Sequence, residues 1–267
     1  MEHTGPIFPA AFDVVTPFHQ KDAPVFWTYT IPGLLKNAVG LQTIYVVCAE
    51  SAWRDLGLPN VKFINETSYY FSFQQVKEYL ANTSRAGWYY QQLLKLYAHQ
   101  VIRDLNENYV IWDSDTVLLK PTAFFHNDYG EVRALFAISP EYNPPYMEHM
   151  RRLLPVLERI SGRWGGVTHH QPWMKQIMKK LFLDVEHRHS TPFWKAYLNQ
   201  VERKHYGGAG CADYEVVMAY ALRFFGEYSV IRPLRWANRR ELPAAEEDLD
   251  FVSLHEHMSP LVPTSKV

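Results

Sequence analysis

A single α/β domain, with a mostly parallel central sheet flanked by helices, is predicted by three observations. The first 65 residues alternate β-branched apolar runs with helical stretches; a later apolar run, Tyr109 to Trp112, ends in two aspartates, Asp113 and Asp115; and from Gly162 onward the pattern becomes more helical and irregular. With 267 residues and 47% hydrophobic content, the chain can bury one substantial core. Residues 1–121 and 122–267 read as the two halves of that domain.

In order, Phe12 to Pro17 reads as a strand closed by its proline, and Pro24 to Val39 as a helical stretch interrupted at Pro32-Gly33. Gln42 to Ala49 and Val61 to Asn65 are further strands, so parallel pairing is expected. Phe73 to Leu80 is a short helix. After a break at Gly87, Tyr90, Leu93, Leu94 and Tyr97 recur at helical spacing in a helix running to about Asp104. Strands follow at Tyr109 to Trp112, Val117 to Pro121 and Val132 to Ile138. Pro145 to Ile160 reads as a helix kinked at Pro155, and His169-His170-Gln-Pro as the start of the next helix, to Lys180. Pro192 to Glu202 and Ala212 to Phe225 are helices; Tyr228 to Ile231 and Phe251 to His255 are short strands.

Composition excludes several classes. With 27 basic and 28 acidic residues the formal charge is -1, so nothing suggests a nucleic-acid or anionic-membrane surface. Two cysteines, Cys48 and Cys211, exclude a disulfide framework. No run of about 18 apolar residues occurs, and the N-terminus lacks a basic segment followed by an apolar one, so a cytoplasmic protein without a membrane span is expected.

The aspartate pair carries the chemistry. A buried parallel strand over Tyr109 to Trp112 would open at its carboxyl end into the crevice where open α/β sheets bind ligands, bringing both carboxylates there. Oxygen ligands of this kind suit Mg²⁺ or Mn²⁺. Asp-x-Asp alone is a weak motif, and Asp248-Leu-Asp250 matches it too. That copy sits in a charged run, Glu241 to Asp250, which reads as a solvated loop, whereas the first follows Val-Ile-Trp, which an exposed turn does not need.

In these features the chain resembles the GT-A type of nucleotide-sugar-dependent glycosyltransferases, whose Asp-x-Asp motif ends a central strand. The resemblance covers most of the chain through the order of its pieces: the β-α-β opening, the helix Arg85-Ala-Gly-Trp-Tyr-Tyr-Gln-Gln-Leu-Leu-Lys95, the core Ile111-Trp-Asp-Ser-Asp-Thr116, and Leu254-His255 near the end. It implies one Rossmann-like domain, 1–121 binding the nucleotide and a more helical 122–267 binding the acceptor. It also implies transfer from a nucleoside-diphosphate sugar, a UDP-sugar ahead of a GDP-sugar, to a glycan or other hydroxyl acceptor, with Mn²⁺ or Mg²⁺ on the diphosphate.

By the same resemblance Asp115 is the direct metal ligand, Asp113 reaches the ribose or reaches the metal through water, and His255 completes the coordination, with His257 as the substitute. Ser114 lies between the aspartates in the nucleotide-sugar site, and Thr16-Pro17 falls where the base sits. Arg85 and Lys95 flank the helix before the central strand, where a cation facing the diphosphate would serve; a helix-surface salt bridge is the plain alternative for Lys95. His169 and His170 would face the acceptor sugar or a phosphate, or cap a helix. Cys211-Ala-Asp-Tyr-Glu215 resembles the acidic motif beside the acceptor. Asp213 or Glu215 is then the catalytic base of an inverting enzyme or a donor-orienting group in a retaining one; Asp213 as a helix N-cap is the ordinary reading.

Two other classes compete. One is a carbohydrate- or nucleotide-binding module without turnover. The other is a metal-dependent hydrolase built on His169-His170 and Glu186-His-Arg-His189; His187 and His189, two apart, do not share a helix face, which counts against it.

Overall fold

Strand β1 (Phe12–Pro17) is buried at every position and lies between β2 (Leu41–Cys48) and β4 (Asn108–Trp112), parallel to both. The structure, a computed structural model, describes residues 8–54, 57–244 and 247–255. With β3 (Val61–Asn65) and β8 (His170–Met174) these strands form a sheet in the order β3-β2-β1-β4-β8, parallel except for β8. Continuous Val/Ile runs suit strands covered on both faces. The chain winds outward from β1 to β3 and returns at β4 on the other side of β1. The winding therefore reverses between β1 and β4, and the crevice at their carboxyl ends is where such sheets bind ligands.

Two smaller sheets lie beside the main one: β5 (Thr116–Leu118) with β11 (Phe251–Leu254) and β10 (Trp236–Arg239), and β6 (Phe125–Asp128) with β7 (Glu131–Phe136) and β9 (Ser229–Ile231). Among the described residues the second half therefore combines its helices with six strands, a more strand-rich arrangement than its irregular sequence suggests.

The helices correct several boundaries. The expected break at Pro32-Gly33 is absent: α1 (Ala23–Val25), a π-turn over Phe26–Thr30 and α2 (Ile31–Asn37) run on continuously. The Ile31 N–H reaches back to the Phe26 carbonyl, and that wider turn accommodates the missing N–H of Pro32 just beyond. α3 (Phe73–Tyr79) opens on a Ser72/Gln75 capping box, and α4 (Ala86–Val101) has Gly87 inside its first turn. α5 (Pro144–Leu153) ends ahead of Pro155 instead of kinking, because the residue preceding a proline disfavours the helical region; Leu154 is extended. His170 to Met174 is a strand and not a helix start. Its Pro172 is tolerated because β8 is the sheet edge, and α6 (Lys175–His189) begins only afterwards. α7 (Phe193–Asn199) and α8 (Asp213–Phe224) complete the set. Among the described residues no helix is long and apolar enough to cross a membrane.

His149 on α5 is fully buried against the Tyr197 ring, its Nε2 2.8 Å from the Tyr197 carbonyl and its Nδ1 without a hydrogen-bond partner among the described residues. Burial pulls its pKa down to about 4. The unfolded chain, near the ordinary 6.5, thus binds the proton first, so the stability held above pH 6.5 is lost as pH falls toward 4. At pH 5 the loss is about 2 kcal/mol from this ring. His149→Phe removes the carbonyl's donor at every pH but also removes this titration. Its stability deficit in urea unfolding is expected to shrink by about 2 kcal/mol between pH 7.5 and pH 5; a deficit equal at both would show a ring that titrates normally.

Candidate active site

The apolar residues of β4 end at Trp112, and the chain turns through Asp113, Ser114 and Asp115 at the reversal point beside β1. Several bonds fasten that turn. The Asp113 N–H donates to the His169 carbonyl (2.9 Å) and the Thr116 N–H to the Asp113 carbonyl (3.1 Å). Thr30 Oγ1 donates to the Ser114 carbonyl (3.0 Å), Ser114 Oγ to Asp22 Oδ2 (2.7 Å), and the Leu254 N–H to the Asp115 carbonyl (2.8 Å). Ser114 is thus buried with its hydroxyl bonded to Asp22, and it secures the turn.

The two aspartates have different surroundings. Asp113 Oδ1 accepts from Lys95 Nζ (2.5 Å) and from the Tyr214 hydroxyl (2.9 Å), while Oδ2 lies 3.3 Å from His169 Nδ1. Asp115 Oδ2 lies 3.0 Å from His255 Nδ1. Lys95 is buried, not a surface cation; its ammonium also lies 3.6 Å from Asp213 Oδ2 and 4.5 Å from the centre of the Tyr214 ring. Burial alone would lower its pKa, but the charges of Asp113, Asp213 and Asp115 outweigh that and raise it. Burial opposes ionisation of Asp113 too, yet Lys95 and His169 hold its carboxyl well below the usual range. Burial pushes Asp213 and Asp22 upward. For His255, hydrogen bonding and charge from Asp115 overcome burial and raise the pKa.

The donor set fits a hard divalent cation. Two ligands each about 2.1 Å from an octahedral Mg²⁺ or Mn²⁺ stand about 3 Å apart at right angles, the spacing of Asp115 Oδ2 and His255 Nδ1. Asp113, Asp115 and Asp213 act on Lys95, and Asp22 adjoins Asp115 through Ser114, so the turn carries more negative charge than its one buried lysine offsets. Direct ligation by Asp113 would displace Lys95, Tyr214 or His169, all of which already bond its carboxylate. His257 lies outside the described residues. Elsewhere, Glu148, Glu202 and His205 bring donor atoms within 4.8 Å of one another, but Arg152 and Lys204 each pair with Glu202 at 2.6 Å and already supply positive charge.

Other expected residues separate into those at the crevice and those away from it. Thr16 and Pro17 are buried at the end of β1, in register with Val46 and Val47, and Thr16 Oγ1 has no hydrogen-bond partner among the described residues. Arg85 is exposed at the start of α4 with its guanidinium over the Trp88 ring. Lys95 lies about 15 Å further along that helix, so Arg85 does not join the cluster. His170 is not at the site. As the first residue of β8 it packs among Trp112, Phe124 and Phe251, while His169 lies in the left-handed turn before the strand, and burial lowers the His170 pKa to about 3. His189 bonds the Leu153 carbonyl through Nε2, so the histidine pair of α6 does not form a metal centre.

Asp213 and Glu215 diverge. Ala212, not Asp213, is the N-cap of α8, and Gln92 Oε1 accepts the Asp213 N–H at 3.1 Å. Asp213 faces Lys95, with Oδ2 making no hydrogen bond among the described residues. Glu215 lies beneath Gly165-Gly166, 3.7 Å from Arg159 Nε, where a Cβ on Gly165 would fall 2.0 Å from its Oε1. It braces that strap, and burial raises its pKa. Two contributors went unpredicted: Tyr214, which lies between the two predicted acids in sequence, and Asp22, which holds Ser114; the Trp236 ring also meets that of His169 at 5.5 Å. The position of Tyr214 in Cys211-Ala-Asp-Tyr-Glu215 was the available signal.

Fold and site together define an α/β protein with a parallel-rich sheet and an acidic turn at the point where its winding reverses. The chain belongs to the family described as "Family of unknown function (DUF6492)", which matches residues 42–235. No curated protein matches it. Among solved structures it is similar to the crystal structure of mouse xyloside xylosyltransferase 1 in its apo form, with 12% identity and a TM-score of 0.44 over 91% of this chain and 97% of that one.

Proposed function

We propose that this protein is a divalent-metal-dependent glycosyltransferase that moves a sugar from a nucleoside diphosphate, UDP ahead of GDP, to a hydroxyl of a glycan or other acceptor. The observation that carries the reading is the Asp115–His255 pair, at the spacing of adjacent metal ligands beside Asp113 in the crevice between β1 and β4. The order of sequence motifs points the same way.

Mn²⁺ or Mg²⁺ held by Asp115 and His255 would supply Lewis-acid stabilisation of the charge gathering on the departing diphosphate. Thr16 and Pro17 border the nucleotide at the end of β1, and Lys95 keeps Asp113 ionised next to it. Asp213, its proton affinity raised by burial and one oxygen without a hydrogen bond among the described residues, is the group to take the acceptor hydroxyl proton in an inverting reaction. The acceptor oxygen then bonds the anomeric carbon as the carbon–phosphate-oxygen bond breaks and its electron pair leaves with the diphosphate. In a retaining reaction Asp213 would orient the donor sugar instead.

The test is a thermal-shift panel with Mn²⁺: UDP, GDP, UDP-glucose, UDP-galactose, UDP-xylose and GDP-mannose, followed by transfer and slow-hydrolysis assays on any binder. A ligand at a hundredfold its Kd stabilises by about 2.7 kcal/mol, a rise of about 5–10 °C for a chain of this size. Binding without transfer or hydrolysis of any nucleotide sugar would instead leave a binding module.

A further inference from the structure

His169 precedes β8 in a left-handed backbone conformation, φ +61°. A residue with a side chain is uncommon there, and such outliers cluster where surrounding structure over-determines the backbone for function. The His169 carbonyl accepts the Asp113 N–H, and Nδ1 lies 3.3 Å from Asp113 Oδ2, so one residue grips both the main chain and the side chain of Asp113.

Because ionised Asp113 only accepts hydrogen bonds, the neutral form of the ring holds its one hydrogen on Nδ1. Nε2 then carries a lone pair, and it is buried without a hydrogen-bond partner among the described residues. The ring stands between Trp236, at 5.5 Å, and His255, at 4.8 Å, on the side of Asp113 away from Lys95 and Tyr214. The Tyr214 hydroxyl donates to Asp113 Oδ1 at 2.9 Å and lies 3.3 Å from Lys95 Nζ, fixing the carboxylate from behind.

We propose that Tyr214, Asp113 and His169 form an orienting relay, in which Tyr214 is a positioning residue and His169 Nε2 accepts a hydrogen bond from a hydroxyl of the donor sugar. A lone pair selects a hydroxyl over a phosphate oxygen, which has no hydrogen to give. Of the hydroxyls of a nucleotide sugar, those of the transferred sugar are the ones assigned to it; contact with the ribose is the alternative that the nucleoside diphosphates test. This assignment rests on the nucleotide-sugar reading above.

The experiment measures dissociation constants by calorimetry with Mn²⁺ for UDP, UDP-glucose, UDP-galactose, UDP-xylose, GDP and GDP-mannose, on wild type, His169→Asn and Tyr214→Phe. Asparagine tolerates the left-handed backbone and keeps an N–H near Asp113, but lacks Nε2. His169→Asn is expected to weaken the preferred nucleotide sugar about tenfold and Tyr214→Phe about threefold, with the matching nucleoside diphosphate within about twofold of wild type. The ligand-free melting midpoint of Tyr214→Phe should fall by about 3–10 °C, since a hydrogen bond to a buried carboxylate is lost. Equal weakening of nucleotide sugar and nucleoside diphosphate overturns the sugar contact. Unchanged affinities in both variants, or a lower melting midpoint in Tyr214→Phe with an unchanged affinity ratio, overturn the relay. Wild type binding none of the six ligands would instead remove the nucleotide-sugar reading itself, and this assignment with it.

Discussion

Asp115→Ala is expected to lower metal-dependent sugar transfer by about 10²- to 10⁴-fold, the equivalent of the several kcal/mol a Lewis-acid cation contributes to departure of a diphosphate. The loss should appear in kcal/mol of transition-state stabilisation and not of folding. The Asp115 side chain is 24% exposed, and its side-chain partner among the described residues is His255, so truncation should cost about 1 kcal/mol in urea unfolding. The matched control is Asp248→Ala. Asp248 is exposed and pairs at the surface with Lys120 and Arg235, so its removal should leave transfer within about twofold. Asp250 is not a second silent control, despite belonging to the same charged run. Its carboxylate accepts the Arg235 N–H at 2.7 Å, and its carbonyl accepts from Leu119 and Lys120 beside β5. Transfer rates in excess Mn²⁺, measured with the nucleotide sugar that binds wild type, check the expectation; Asp115→Ala as active as Asp248→Ala would sink the metal assignment.

The strands that build the crevice were legible because their information is local. Phe12 to Pro17, Val61 to Asn65 and Tyr109 to Trp112 are short apolar runs bounded by breakers, and each is a strand in the structure. The aspartate pair was legible for the same reason, since the strand that presents it adjoins it in sequence. What stayed hidden depends on distant neighbours. Lys95 looks like a surface lysine on an amphipathic helix, but α4 is buried on nearly all sides because α8 and α6 also cover it. Tyr214 looks like core until α8 brings its hydroxyl to Asp113. His169 and His170 look alike in sequence; only the strand character of β8 separates them, and Pro172 concealed that strand because proline suits both an edge strand and a first helical turn.

Lys95→Met is expected to cost about 3–5 kcal/mol of stability, because it leaves Asp113 and Asp213 buried without their shared cation. That is a large share of the 5–15 kcal/mol typical of a domain. The penalty should depend on pH with a sign opposite to that of wild type. In wild type the Asp113 pKa is held below its unfolded value, so its contribution is present at neutral pH and lost as pH falls. Without Lys95, burial is opposed only by the His169 and Tyr214 contacts at Asp113 and acts in full on Asp213, so the carboxyl pKa values rise, the folded variant takes up protons ahead of the unfolded chain, and its deficit narrows on acidification. Asp113→Asn in the Lys95→Met background should recover about 1–3 kcal/mol, since one of the stranded charges is gone. Urea unfolding of the three variants at pH 7.5 and pH 5 decides the matter. A Lys95→Met deficit below about 1 kcal/mol at pH 7.5, or one that does not narrow at pH 5, would mean that Lys95 is not the cation that keeps the acidic turn ionised.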